Sequence, residues 1–276
     1  MRIHALQTGT VAIKQRQRAG RGPGAARVAV TLADRRFTEP LPILAWLVEH
    51  PDGLILVDTG ETAQAMQPGY FPAWNLYFRL GVREQVTPAE EVGPRIEALG
   101  FSPSDVRQVV MTHLHTDHAG GLHHFPDSEI LVSRTEVGLA TGRLAKVLGY
   151  LPHRWPAWFA PRAVEFEDGR LGPFERSHAL AAGVTLVPTP GHTPGHLSVA
   201  VRTDEGLVLL AGDASYTQDL MLAGVADGVT TSPAADRDSL RQIRELTRSE
   251  PTVYLPTHDP DASRRLEAME AAPRRD

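Results

Sequence analysis

The stretch His113–Leu114–His115–Thr116–Asp117–His118, followed by Ala119–Gly120–Gly121, constrains this chain more than any other part of it. It places three imidazoles and a carboxylate directly after a short β-rich segment, Arg107–Thr112. His113 and His115 are two positions apart, so on an extended backbone both project to one side. Asp117 and His118 come past the turn and face elsewhere. Gly120 and Gly121 then let the chain bend sharply away. A fold that accepts this segment must bring it to the end of a strand and keep open space in front of it.

The chain has no Cys, which removes disulfides, thiolate nucleophiles and thiolate metal sites together. A metal must therefore be held by His, Asp or Glu, ligands that suit borderline divalent ions such as zinc. One short motif cannot complete two coordination spheres, so further ligands are expected at other strand ends. Three candidates stand there. His192 follows the predicted strand Val184–Val187 in Thr189–Pro190–Gly191–His192. Asp213 follows Leu207–Leu210, and His258 follows Thr252–Leu255. The set predicts two divalent ions per chain, one on His113, His115 and His192, the other on Asp117, His118 and His258. Asp213 would bridge them through its two oxygens, with a hydroxide shared between the ions. Such a pair makes water a nucleophile near neutral pH. Zinc is the expected metal, and manganese, iron and cobalt accept the same ligands.

Elsewhere the pattern predicts a strand at Ile3–Ile13 and a hairpin joining Ile43–His50 to Leu54–Asp58 through Pro51–Asp52–Gly53. Thr87–Glu90 reads as a capping box opening a helix with Val92, Ile96 and Leu99 on one face, stopped by Gly100. Glu129–Val132 and Leu197–Val201 read as strands. Ser133–Glu136 caps a helix whose Val137, Ala140, Leu144 and Leu148 form an apolar stripe ending at Gly149. A third helix spans Asp236–Arg248, with Leu240, Ile243 and Leu246 on one face. This order fits neither strict βαβ alternation nor an all-β chain, and it predicts two sheets with helices outside them. With no linker visible, residues 1–276 read as one domain, carrying a charged tail over residues 261–276. Residues 1–36 form a basic strand and loop, in which Arg16–Arg27 reads as solvated.

The balance of 28 Lys+Arg against 33 Asp+Glu gives a net charge of −5, which speaks against nucleic acid as a partner. Apolar runs are too short to cross a bilayer, and the N-terminus has no signal-peptide pattern, so a cytoplasmic protein without membrane insertion is expected.

The HxHxDH motif of His113–His118, with His192, Asp213 and His258 downstream, resembles the metallo-β-lactamase superfamily. The resemblance runs from the Leu54–Gly60 strand and its VDTG turn to His258. It implies an αββα sandwich, α+β in class, with two mixed sheets face to face and the metals at one edge. Within the superfamily, HLHTDHAGG at His113–Gly121, TPGHTPGH at Thr189–His196 and DASYT at Asp213–Thr217 resemble the N-acyl-homoserine lactonases. That likeness implies opening of an acyl lactone ring, a small-molecule reaction that quenches quorum signals. It also implies that Tyr216, after the bridging aspartate, contacts the substrate carbonyl. A phenol there can donate to a developing oxyanion. Asp117 can deliver the proton to the leaving alkoxide as well as bind metal. The chain departs from such lactonases at Thr116, where a bulky residue often stands, and in the aromatic stretches Gly69–Arg83 and Tyr150–Arg162, which leaves the acyl preference open.

Asp58, at its strand end, is expected to hydrogen-bond a metal-bound imidazole. His196 is expected to support the site or pack rather than ligate, and His123 and His124 to be loop residues. Trp74, Phe78, Trp155, Trp158 and Phe159 are candidates for an apolar wall around the acyl chain, or for a homodimer contact. The alternative activity is a thioesterase of the glyoxalase II type, which would need a basic pocket for glutathione carboxylates. A β-lactamase, a phosphodiesterase or nuclease, and a metal-dependent sensor without turnover are weaker alternatives.

Overall fold

Period-two alternation along Leu41–His50 sets the layers. Leu44, Trp46 and Val48 pack with Val199, Leu210 and Leu255, whereas Ala45 and Leu47 pack with Val92 and Ile96 on the opposite face. A strand apolar on both faces is buried on both, and here a second sheet covers one side and helices the other. The computed structural model describes residues 1–22 and 24–274.

The larger sheet contains β1 (Arg2–Ile13), β2 (Leu41–His50), β3 (Gly53–Val57), β4 (Val82–Gln85), β5 (Val106–Val110), β6 (Glu129–Ser133) and β7 (Arg162–Val164), in the order β4-β1-β2-β3-β5-β6-β7. The smaller contains β8 (His178–Ala181), β9 (Val184–Pro188), β10 (Leu197–Arg202), β11 (Leu207–Gly212) and β12 (Thr252–Pro256), in the order β12-β11-β10-β9-β8. Nine helices accompany them among the described residues: α1 (Gln15–Arg18), α2 (Gly24–Leu32), α3 (Leu76–Leu80), α4 (Val92–Glu97), α5 (Thr116–Ala119), α6 (Arg134–Ala140), α7 (Gln218–Ala223), α8 (Pro233–Ser249) and α9 (Ala262–Glu267). Two mixed sheets packed face to face with helices outside make the αββα sandwich expected from the sequence. Leu240, Ile243 and Leu246 of α8 are wholly buried against Leu207, Leu209 and Tyr254. Each such side chain contributes about 1.5–3 kcal/mol on burial.

Strand direction puts the ligand-type residues together. In the larger sheet β3, β5 and β6 run parallel. In the smaller, β12 is parallel to β11, and β9 and β11 both run antiparallel to β10. The C-terminal ends of β9, β11 and β12 therefore share one edge. Backbone bonds from Leu197 N to Thr112 O (3.0 Å) and from Leu44 N to Thr257 O (3.2 Å) join the two sheets there.

Three local expectations are corrected. The helix after Ser133 ends at Ala140, where the Thr141 hydroxyl turns back onto the Val137 carbonyl and Gly142 follows. Leu144 and Leu148 therefore form no core stripe, and Leu144 is exposed. The Thr87–Glu90 capping box is present but closes only a 3₁₀ turn, and Leu99 lies exposed beyond α4. The segment Arg16–Arg27 is not a solvated loop: it folds into α1 and the start of α2, and Arg27 is buried. Its guanidinium satisfies the carbonyls of Ala226 (2.6 Å) and Asp227 (2.5 Å), so the charge serves to anchor the segment.

Candidate active site

β5 ends at Val110, and the next residues carry the HxHxDH motif around the sheet edge into α5. Nε2 of His113 lies 3.0 Å from Nδ1 of His115, which lies 3.0 Å from Nε2 of His192. On the other side Nε2 of His258 lies 3.3 Å from Oδ2 of Asp117 and 3.4 Å from Oδ1 of Asp213. Oδ1 of Asp213 also faces His118 Nε2 at 3.3 Å, while its Oδ2 faces His192 Nε2 at 3.5 Å. The seven residues singled out as ligands thus converge, with the two oxygens of Asp213 turned to two different groups.

The far nitrogen of each imidazole is held. His118 Nδ1 donates to Asp58 Oδ2 (2.9 Å), His192 Nδ1 to Asp227 Oδ2 (2.8 Å) and His258 Nδ1 to the Pro42 carbonyl (2.9 Å). His115 Nε2 donates to the Leu148 carbonyl (3.0 Å), and His113 Nδ1 reaches Thr112 Oγ1 (3.1 Å), whose hydroxyl donates to Asp58 Oδ2 (2.8 Å). These bonds place the proton away from the centre, so each ring presents a lone pair inward. Asp58 orients two rings at once and is held in turn by Thr112 N (2.8 Å). His196 stands outside the group of ligand atoms. Its Nε2 accepts from the Asp213 backbone N–H (3.0 Å) and its Nδ1 lies 2.9 Å from Thr189 Oγ1, so it fixes the turn carrying Asp213.

The residues present fit divalent metal. His118 Nε2 and Asp213 Oδ1 are buried and face each other, yet neither has a hydrogen-bond partner. Orphaned polar atoms of that kind are costly unless a cation lies between them. The electrostatics agree. Burial and neighbouring imidazoles push His115 down to about 3. Burial also opposes charge on His258 and His192, but Asp213 raises the first to about 10 and Asp227 the second to about 9. The carboxylates thus call for positive charge at the centre, and metal binding would release the protons they otherwise hold.

Residues 38–258 match the metallo-beta-lactamase superfamily. The chain belongs to that superfamily. It is a hydrolase of the metal-dependent kind. Among relatives of this metallo-β-lactamase protein, a probable metallo-hydrolase of Mycobacterium tuberculosis is 35% identical over 239 residues, covering 78% of this chain and 74% of that one. An N-acyl homoserine lactonase of Bacillus thuringiensis is 31% identical over 226 residues, covering 79% and 82%. A solved N-acyl homoserine lactone hydrolase, with N-hexanoyl-L-homoserine bound at its catalytic metal centre, superposes with a TM-score of 0.74 at 25% identity, covering 95% of this chain and 94% of that one. Among the described residues no helix is long and apolar enough to cross a membrane.

A cavity opens over the centre, bounded by His115, Asp117, His192, Asp213, Tyr216 and His258. Tyr216 is buried and stacks on His258, with ring centroids 5.5 Å apart. Its hydroxyl and that of Tyr77 each lie 2.8 Å from Gln17 Nε2. The apolar wall differs from the one expected. Phe78 lines the cavity, but Trp74, Trp155, Trp158 and Phe159 do not. Trp74 is 58% exposed and Trp158 39%, and Trp155 packs edge-on against Phe159 over the helix-side core. Their place is taken by Val11, Ile13, Val28, Val82, Val147 and Leu148. Of the aromatic stretch beyond residue 149, Tyr150 lines the cavity, whereas Trp155 and Phe159 pack on the helix-side core.

The sequence reading missed four supporting residues. Gln17 sits in a polar run without a distinguishing spacing. Asp227 lies far along the chain from His192, in an ordinary Asp-Gly pair. Glu136 was legible only as a capping residue, yet its carboxylate accepts from Leu114 N (3.1 Å) and Thr193 Oγ1 (2.7 Å), bracing both histidine loops. Glu61, next to the VDTG turn, is wholly buried, and burial with the nearby Asp117 charge raises it to about 8.

Proposed function

We propose that this hydrolase opens the lactone ring of N-acyl-homoserine lactones, and so quenches quorum signals, at a dinuclear centre. His113, His115 and His192 would hold one ion and Asp117, His118 and His258 the other, with Asp213 shared and zinc the expected metal. Ions bound there supply the Lewis acidity that makes water a nucleophile near neutral pH. The observation that carries the reading is Tyr216 at the cavity wall beside His258, its hydroxyl accepting from Gln17. An acceptor engaged this way keeps its own proton for another oxygen, and a lactone carbonyl that gains negative charge is the oxygen to be stabilised. Asp117, beside His258 at the cavity edge, would take a proton from the attacking water and pass it to the departing ring alkoxide. Val11, Ile13, Val28 and Phe78 suit an acyl chain.

The thioesterase alternative lacks support, because no Lys or Arg is among the described residues lining the cavity and glutathione carboxylates would find no partner. Sequence and fold likeness to lactonases supports the lactone reading, and residues 1–276 are taken to act as one domain. The test is ring opening of short- and long-chain N-acyl-homoserine lactones by purified protein, followed by pH-stat titration with and without chelation. Fast, chelator-sensitive acid release is expected. No release from protein carrying its metals would overturn the reading.

A further inference from the structure

Away from the cavity, a second group of ligand-type side chains converges on one point. Glu91 stands at the N-cap of α4 and is buried. Its Oε1 is committed, accepting from Thr62 Oγ1 (3.1 Å) and Ala63 N (2.8 Å). Its Oε2 faces two imidazole nitrogens, Nε2 of His124 at 2.8 Å and Nε2 of His123 at 3.1 Å. The two rings lie 4.1 Å apart with a 36° tilt, so both nitrogens approach the carboxylate together.

The hydrogen-bond geometry shows what this arrangement can hold. His123 Nδ1 lies 3.2 Å from the Gly120 carbonyl, which can only accept. In the neutral ring Nδ1 therefore carries the proton, and the Nε2 lone pair points at a carboxylate oxygen. Two acceptors at that distance need a positive charge between them. A metal ion satisfies both rings and the carboxylate at once. The backbone also makes room: a Cβ on Gly93 would stand 2.5 Å from Nδ1 of His124, so α4 admits only glycine there.

We propose that Glu91, His123 and His124 form a separate site for a divalent cation. Two imidazole nitrogens and one carboxylate oxygen suit zinc and its neighbours in the first transition row. His123 is 38% exposed, so water completes the coordination. The ion pins the Gly120–His124 turn, which follows directly on α5 with Asp117 and His118, to the Thr62–Ala63 turn and to α4. It stabilises the floor of the active-site loop without touching the cavity.

The test is equilibrium dialysis of the full chain against micromolar zinc, with protein-bound metal read by elemental analysis. His123→Ala and Glu91→Gln should each bind one zinc ion fewer per chain than wild type. The same decrement should appear when His123→Ala is added to Asp213→Asn, which weakens the centre in the cavity. Unchanged stoichiometry in His123→Ala or Glu91→Gln overturns the site. An equal decrement in His178→Ala, a histidine beside Asp168 elsewhere on the surface, also overturns it, because it would mean dispersed binding. The readout is a metal count, so absence of lactone hydrolysis by wild type would sink the activity reading and leave this one standing.

Discussion

At the scale of single residues, the proposed lactone reading asks most of the Tyr216 hydroxyl. Gln17 donates to it, so its own O–H is directed elsewhere. Tyr216→Phe removes that donor and almost no volume, and losing one oxyanion donor costs roughly 100-fold or more in kcat. Bound metal should be unchanged by elemental analysis, and an unaltered kcat would rule out the role. Gln17→Leu should lower kcat by about 10-fold with a small change in KM, through an unaligned phenol. Because Gln17 acts through Tyr216, that loss should vanish in the Tyr216→Phe background, the non-additivity expected of two groups in one network. Additive losses would mean that Gln17 serves packing alone. Asp58 works on the metal ligands instead. It orients His118 directly and His113 through Thr112, so Asp58→Ala should weaken zinc affinity about 10–100-fold, measured by competition with a chromophoric chelator.

Elements explain why the centre was legible in the sequence and its surroundings were not. His192, Asp213 and His258 each follow an apolar run, and strand ends on parallel strands fall on one edge, so local pattern carried long-range information there. The hairpin through Asp52–Gly53 and the face of α8 were readable for the same reason, since periodicity and turn chemistry agree. The segment from Arg16 to Arg27 defeated that reading. Its arginines look like a solvated run, and only the carbonyls of residues 226 and 227, far along the chain, turn Arg27 inward. Leu144 and Leu148 failed in the opposite direction: their spacing continues the helix, but no core waits to receive them and Gly142 breaks it. The anchoring of α1 and α2 makes a testable claim. Arg27→Ala removes charged hydrogen bonds to two buried carbonyls, a loss of about 1.5–3 kcal/mol in urea unfolding. It should also lower kcat, since Gln17 and the Asp227 loop that steadies His192 share this junction. Unfolding at wild-type urea concentrations would show that the segment lies loosely on the edge.

At the scale of the whole molecule, the centre lies where the two sheets meet, so its charge state is coupled to the packing of both. Each sheet contributes carboxylates and imidazoles to a buried region, and burial opposes charge on His192 and His258 while Asp227 and Asp213 demand it. A bound cation would resolve that conflict and bind the folded chain far better than the unfolded one, so chelation is expected to destabilise the sandwich. With free zinc at about 1,000 times the dissociation constant, the linkage amounts to roughly 4 kcal/mol per site. The two ions of the proposed centre together amount to about 8 kcal/mol, and in a chain of this size 1 kcal/mol moves the melting temperature by about 2–4 °C, so chelation should lower it by roughly 15–30 °C. Asp213→Asn should start well below the loaded wild type and respond to chelator only through the ion proposed at Glu91, His123 and His124, because the residue whose two oxygens face both groups of the centre has lost its charge. The comparison is made by scanning calorimetry on protein whose metal loss has been verified. A metal-free chain melting where the loaded one does would mean that the sheets hold the ligands in place unaided, and the orphaned His118 and Asp213 atoms would then require another partner.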